Sequence, residues 1–163
     1  MGITVGRVVP DQYSEVASLC VQAYLPSRLP SDHAYYARLK DVAARDELAE
    51  VWVASEHGRV LGSLTWCPPH SPWREISRDD EAEFRMLAVD PAEQGRGVGR
   101  ALVDAAIARS RAEGRTAIVL STACWMTAAH HLYERMGFER VPERDWSPTE
   151  GLDLKAYRLD LTR

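Results

Sequence analysis

The stretch Asp90-Pro91-Ala92-Glu93-Gln94-Gly95-Arg96-Gly97-Val98-Gly99-Arg100 sets three glycines within five residues, between an apolar run and an amphipathic one. The start of a helix leaves about four backbone N–H groups unpaired, and the helix dipole adds partial positive charge there. Glycines let a phosphate approach those donors with no Cβ in the way. A strand, a glycine turn and a helix in that order suit a phosphate-bearing ligand, and Arg96 and Arg100 offer charge-assisted bonds beside it. Two nucleotide readings fail on residues. A Walker loop needs Gly-Lys-Ser/Thr, where this chain has Gly99-Arg100-Ala101. The dinucleotide fingerprint, counted from Gly95, wants Gly or Ala at Arg100 and an acid about 20 residues on, where Leu120-Ser121-Thr122 stands. A ligand-free tight turn is the alternative that the loop alone leaves open.

Other reactive residues carry weaker signals. His130 and His131 diverge by about 100° on a helix, so they cannot face one ion, and solvated helix histidines are expected. Cys67-Pro68-Pro69-His70 has no second ligand pair at zinc spacing, and no metal site is expected. Cys124 lacks a partner to activate it and reads as a small buried residue.

The elements that hold the glycine loop follow from periodicity. Ile3 to Val9 reads as a strand; Asp11 opens a helix with Val16, Leu19, Cys20 and Ala23 on one face, closed by Pro26 and Pro30. One helical stretch is predicted from Ser31 or Asp32 to about Leu48. Residues 50–66 read as an antiparallel hairpin about Glu56-His57-Gly58. Cys67 to Asp80, with three prolines and no period, is a long loop of the kind that is functional or disordered. Strands at Glu83–Val89 and Ala117–Leu120 flank a helix from Gly97 to Gly114. A short helix at Thr127–Met136 and strands at Phe138–Val141 and Leu154–Leu161 complete the chain, with Pro142–Asp153 as a loop. The order gives a mixed α/β sheet in a single domain over residues 1–163.

Composition narrows the class. Twenty Lys+Arg against 24 Asp+Glu leave a net charge of −4, which argues against a nucleic-acid partner bound by bulk charge. No segment approaches the roughly 18 unbroken apolar residues of a membrane span. Met1 to Pro10 has neither a basic segment nor an apolar core, so no secretory leader is expected there. Three widely spaced cysteines do not form a disulfide framework. A reduced, cytoplasmic, enzyme-sized domain is the expectation.

Gln94, Gly97 and Gly99 match Gln/Arg-x-x-Gly-x-Gly/Ala, the acyl-CoA motif of the GCN5-related N-acetyltransferase (GNAT) family. The chain resembles that family over ordered blocks from 83 to 138. Glu83–Pro91 is similar to its preceding strand, and Ala129–Phe138 to its Ala-x-x-Leu-Tyr-Glu-x-x-Gly-Phe signature. The resemblance implies the acyl-CoA N-acyltransferase fold: a mixed, mostly antiparallel central sheet, helices on both faces, and two central strands that splay. It implies acetyl-CoA as co-substrate, its pantetheine arm on the backbone of Leu87, Ala88 and Val89. The pyrophosphate would then sit on the amides of Gln94, Gly95, Arg96, Gly97, Val98, Gly99 and Arg100. Many members carry Asn where this chain has Met126.

An alkylamine of pKa near 10.4 must lose a proton before it attacks. The resemblance to histone-acetylating members implies Glu83 as the base, directly or through water. The reading as a solvated carboxylate among Asp79, Asp80 and Glu81 stays open, and that acidic run would attract a cationic amine. Tyr133 matches the family tyrosine that serves the leaving sulfur as an acid. A phenol is a weaker acid than a thiol, so a hydrogen bond to the developing thiolate is the safer role. A strand N–H near Leu87 or Ala88 would serve the carbonyl oxygen. Trp66, Trp73, Trp125, Trp146, Tyr24, Tyr35 and Tyr36 are expected along the acceptor side or in ordinary packing. The resemblance thus implies direct transfer of acetyl to a primary amine of a small molecule. A protein or peptide acceptor and a non-catalytic acyl-CoA-binding module are the alternatives, and a homodimer is expected by analogy only.

Overall fold

The computed structural model describes residues 2–27 and 29–163. In chain order the elements are β1 (Thr4–Arg7), α1 (Tyr13–Tyr24), α2 (Ala34–Lys40), α3 (Val42–Leu48), β2 (Glu50–Glu56), β3 (Arg59–Cys67), β4 (Glu81–Val89) and α4 (Val98–Ala112). Then come β5 (Ala117–Ala123), α5 (Thr127–Arg135), β6 (Glu139–Arg140), β7 (Trp146–Thr149) and β8 (Leu152–Asp160). The sheet runs β1-β2-β3-β4-β5-β8-β6, with β7 paired to β8. Among the described residues only β4 and β5 are parallel; the other pairs are antiparallel. The fold is the mixed, mostly antiparallel sheet with splayed central strands that the sequence leads one to expect.

The splay has a local cause. β4 and β5 pair only from Glu81–Phe84 to Ala117–Leu120. On the other edge of β4, Arg85 faces Thr65 and Ala88 faces Ser63, so Met86 and Leu87 together oppose Leu64. That is a β-bulge, and Met86 takes φ 55° to make it. The bulge also reverses the side-chain alternation. Ala82 and Phe84 pack toward α4, whereas Met86 and Ala88 pack toward α1–α3. Beyond it, residues 85–89 have no ladder to β5, and their backbone groups face an opening.

Two apolar layers close the sheet. Val16, Leu19 and Cys20 of α1, with Tyr35, Tyr36 and Leu39 of α2, cover one face. Val98, Leu102, Val103 and Ala106 of α4, with Tyr133 of α5, cover the other. Burial of each large apolar side chain contributes about 1.5–3 kcal/mol.

The structure differs from the sequence expectation at three elements. The helix predicted from Ser31 or Asp32 to Leu48 is two helices. His33 caps the first, its Nδ1 accepting from the Tyr35 amide at 3.1 Å. Asp41 interrupts, its Oδ1 accepting from the Ala44 amide at 3.1 Å and starting the second. A short acidic side chain competes for backbone N–H groups and so favours a break over helix interior. The predicted loop Pro142–Asp153 contains β7, and the strand predicted at Phe138–Val141 shrinks to Glu139–Arg140.

Glu81, at the base of β4, accepts from Arg144 Nη1 at 2.7 Å, Arg158 Nε at 2.8 Å and the Arg78 amide at 2.9 Å. Burial acts to raise its pKa, but these bonds outweigh it and hold the carboxyl at about 2. Its contribution to stability is therefore complete above the ordinary carboxylate range and disappears as pH falls from about 4.5 through 2. Glu81→Gln is expected to destabilise the fold at pH 7 by on the order of 2 kcal/mol. It should also flatten the acid limb of a urea-melting series between pH 5 and 2.5; parallel limbs for variant and parent would contradict this.

Candidate active site

The glycine loop follows β4 through a 3-10 turn at Pro91–Glu93, where Asp90 Oδ1 accepts from the Ala92 amide at 2.9 Å. Gly95 and Gly97 have φ of 82° and 84°, values that only glycine adopts without strain. A Cβ on either would meet no atom within 4 Å, so the space over the loop is open. Gly97 caps α4, and the first helical bond runs from the Ala101 amide to its carbonyl. The N–H groups of Val98, Gly99 and Arg100 therefore have no partner within the helix. Gly99 has a different duty: a Cβ there would press on Leu132 Cδ2 at 3.1 Å, so its absence lets α5 approach the start of α4.

A cleft of about 610 Å³ runs from this loop into the β4–β5 opening. It is lined by Leu87, Ala88 and Val89 of β4, by Gln94 and Gly95, and by Gly97 through Arg100. Nine of the ten residues expected at a cofactor thus share one cavity. The tenth, Arg96, does not line it. Its guanidinium is ion-paired with Glu93 and lies 2.7 Å from Glu56, so it braces the loop from behind. Arg135, in the last turn of α5, lines the cleft instead. Trp125 and Met126 line it as well.

Tyr133 is buried between Phe84, Phe138 and Tyr157, with ring centroids 6.1, 5.7 and 5.8 Å away. Burial raises its pKa, so the hydroxyl stays protonated far above neutral pH. It has no hydrogen-bond partner among the described residues. Its neighbours Ala129 and Leu132 line the cleft.

Glu83 is not solvated. It is wholly buried and faces the α1–α3 side, where the loop after β3 folds onto it. The amides of Glu75, Ile76 and Ser77 all point at its carboxylate at 3.0–3.4 Å, and Ser77 Oγ donates to Oε1 at 2.7 Å. Successive amides converging on an anion make a nest. The long Cys67–Asp80 loop is thereby pinned to β4. The neighbouring acids do not form a free negative patch. Glu81 is ion-paired, and Asp80 Oδ2 accepts from Thr116 Oγ1 at 2.8 Å.

The aromatic residues divide. Trp66 stacks on Trp52 at 5.2 Å under Arg109, on the α4 side, and takes no part in the acceptor face. Tyr24 joins Tyr35 at 5.4 Å and Trp125 at 5.7 Å, and of the three only Trp125 lines the cleft. Trp73 lies between the guanidinium groups of Arg38 and Arg85, at 5.1 and 5.4 Å. His130 is buried, its Nε2 3.0 Å from the Ala123 carbonyl, and only His131 is the solvated histidine expected. Burial lowers the pKa of His130, so it stays neutral and braces α5 against β5. Cys124, expected to be buried, is exposed. Among the described residues no group of three His, Cys, Asp or Glu is placed to hold a metal.

The parallel strands β4 and β5 thus part beside the free amides that start α4. The sequence profile of the acetyltransferase (GNAT) family matches residues 14–138, and the chain belongs to that family. It is 31% identical to the mycothiol acetyltransferase of Cellulomonas flavigena over 171 residues, covering 94% of this chain and 47% of that protein. It is 34% identical to the N-acetylaspartate synthetase of Danio rerio over 96 residues, 58% of this chain and 31% of that one. The chain thus spans half or less of the length of these curated relatives. The fold matches yncA of Salmonella typhimurium, a putative acetyltransferase solved with acetyl-CoA, with a TM-score of 0.70, 24% identity and coverage of 100% and 96%. A GNAT-family acetyltransferase from Staphylococcus aureus Mu50 superposes with a TM-score of 0.75 at 16% identity, covering 99% and 100%.

Proposed function

We propose that this chain is an acetyl-CoA-dependent N-acetyltransferase that transfers acetyl directly to a primary amine of a small molecule. One observation carries the reading: the open glycine cradle, the three unpartnered amides of α4 and the unladdered backbone of β4 line a single cleft. Those amides, with Arg100 and Arg135 at the mouth, suit a diphosphate and a further phosphate. The narrow passage past Leu87, Ala88 and Val89 suits an extended amide-bearing arm. When bound there, acetyl-CoA supplies an acetyl group on a thioester, which is activated toward amines.

The protein's own groups then have defined duties. The N–H groups freed by the bulge are donors for a carbonyl oxygen that gains negative charge. Tyr133 offers its hydroxyl toward negative charge developing on a leaving sulfur; its raised pKa suits a hydrogen bond better than full proton transfer. Glu83 departs from the role implied by the family resemblance. With three amides and a hydroxyl on it and no exposure, its carboxylate is covered by the protein and is not open to an amine. It positions the loop instead.

A small acceptor is favoured by the names of the curated relatives, a mycothiol and an aspartate acetylating enzyme. Three free cysteines suit a reducing, cytoplasmic setting. The test is thiol release from acetyl-CoA with a panel of small amines and amine-bearing peptides, the product identified by mass. Acetylated small amines are the expected result. Turnover of peptides alone would shift the acceptor class, and tight acetyl-CoA binding with no turnover would make the chain a binding module.

A further inference from the structure

The bulge that opens the cleft rests on Met86, and the Met86 side chain is held by a guanidinium with no counter-ion. Arg45, on α3, is wholly buried in the α1–α3 layer. Its Nη1 donates to Met86 Sδ at 2.9 Å and to the Leu39 carbonyl at 3.4 Å, and its Nη2 donates to Cys20 Sγ at 3.5 Å. Among the described residues its Nε has no partner and no carboxylate pairs with it. Burial raises the pKa of Cys20, so that thiol is neutral and supplies no opposing charge. Taking a guanidinium out of water is costly unless it is paired, and an apolar side chain of similar length would fill the space at less cost. Packing alone does not account for Arg45.

We propose that Arg45 is a positioning residue for acetyl-CoA: it clamps Met86 and so holds the bulge that parts β4 from β5. This rests on the acetyltransferase reading above. Met86 takes φ 55°, a strained value for a residue with a side chain, and such a value persists only where the surroundings fix it. Met86 and Leu87 together oppose Leu64, so the residue that Arg45 grips is one half of the bulge. Leu87, the other half, lines the cleft. Were Met86 to relax to an ordinary strand conformation, the register would slip by one residue over Leu87, Ala88 and Val89. Their backbone groups would then turn from the opening in which the acyl-bearing arm is to lie.

The other bonds of the fork set the opposite wall. Cys20 stands on α1, and Gln22 and Ala23 of the same helix line the cleft. Leu39 offers a carbonyl from the last turn of α2, where intrahelical donors run out. One planar guanidinium thus ties α1, the end of α2 and β4 at fixed spacing, which a point-charge ammonium on a flexible stem does not reproduce. The β4 side of the cleft and its α1 side are set from a single buried point. Fixing both before the ligand arrives lowers the ordering cost of binding.

The test separates this role from a contribution to stability. Arg45→Met keeps an unbranched apolar stem and removes the fork. Its melting temperature should hold or rise, whereas calorimetry should show acetyl-CoA bound on the order of tenfold more weakly. Met86→Leu keeps the apolar volume without the sulfur acceptor and should also weaken binding. The double variant should bind no more weakly than Arg45→Met alone, because both substitutions break one contact. In the ligand-free protein the three-bond HN–Hα coupling of Met86 reports its φ, and in Arg45→Met it should rise toward the value of an extended strand. Unchanged affinity in Arg45→Met, additive losses in the double variant, or an unmoved coupling would overturn the proposal. Should Arg45→Met fail to fold, affinity and the same coupling at residue 86 in Met86→Leu decide it. A parent protein that bound no acetyl-CoA would end the acetyltransferase reading instead, while the ligand-free coupling would still decide whether Arg45 holds the bulge.

Discussion

Gly97→Val should weaken acetyl-CoA binding by about 100-fold or more in calorimetry, while the protein still melts cooperatively. Gly97 sits at φ 84° and ψ 14°, and for a β-branched residue the left-handed region costs roughly 1–2 kcal/mol. The free protein has room for the side chain, because a Cβ there meets nothing within 4 Å. The fold therefore survives with a melting temperature a few degrees lower. The ligand has no such tolerance, since the new methyl groups occupy the space above the amides of Val98, Gly99 and Arg100. Should the backbone relax to a negative φ, the same amides rotate away from a common point. Losing two charge-assisted bonds of about 1.5–3 kcal/mol each places the effect at two decades or beyond. Gly95→Ala, with a smaller group at a similar φ, should fall between Gly97→Val and the parent. Unchanged affinity in Gly97→Val would remove the loop from the binding site.

How much of this was legible in the sequence depends on the distance over which each feature is determined. The glycine cradle is local: strand, turn and helix lie within about 30 residues, and their periodicities and glycines read directly. The buried run Ala117–Leu120 and the α1 stripe are local in the same sense. The Met86 bulge is not, because methionine carries no preference for positive φ and the register is set by β3 across the sheet. Splaying therefore came from family resemblance and not from pattern. The ion pairing of Arg96 is non-local for a similar reason. Its partner Glu56 lies 40 residues away, in the hairpin beside the loop. Glu83 is the sharpest case. It stands at the strand position where the family resemblance implies a base. The three amides that occupy it belong to an aperiodic segment whose path no spacing rule gives. Chemistry in strands and helix starts could be read from spacing; chemistry delivered by a loop folding back could not.

Tyr133→Phe should lower kcat by about 100-fold and leave acetyl-CoA affinity within about twofold. The substitution keeps the ring, so the packing against Phe84, Phe138 and Tyr157 is retained. The hydroxyl has no protein partner among the described residues, so its removal leaves no buried group unsatisfied, and the melting temperature should hold or rise slightly. On the proposed function, what disappears is a donor for charge that exists only while the sulfur departs. An interaction made only in the transition state is lost from kcat and not from ground-state binding. Removing one such donor from a water-poor site costs about 2.7–4 kcal/mol, or two to three decades. Because burial raises the phenol's pKa, the lost contribution is a hydrogen bond and not a titrating acid. Wild type and variant should accordingly show the same pH dependence, offset in height. Single-turnover measurement separates this from slow product release, which would mask a change in the chemical step. A chemical step equally fast in both proteins would return Tyr133 to the aromatic core and leave the leaving sulfur to the cleft's backbone donors.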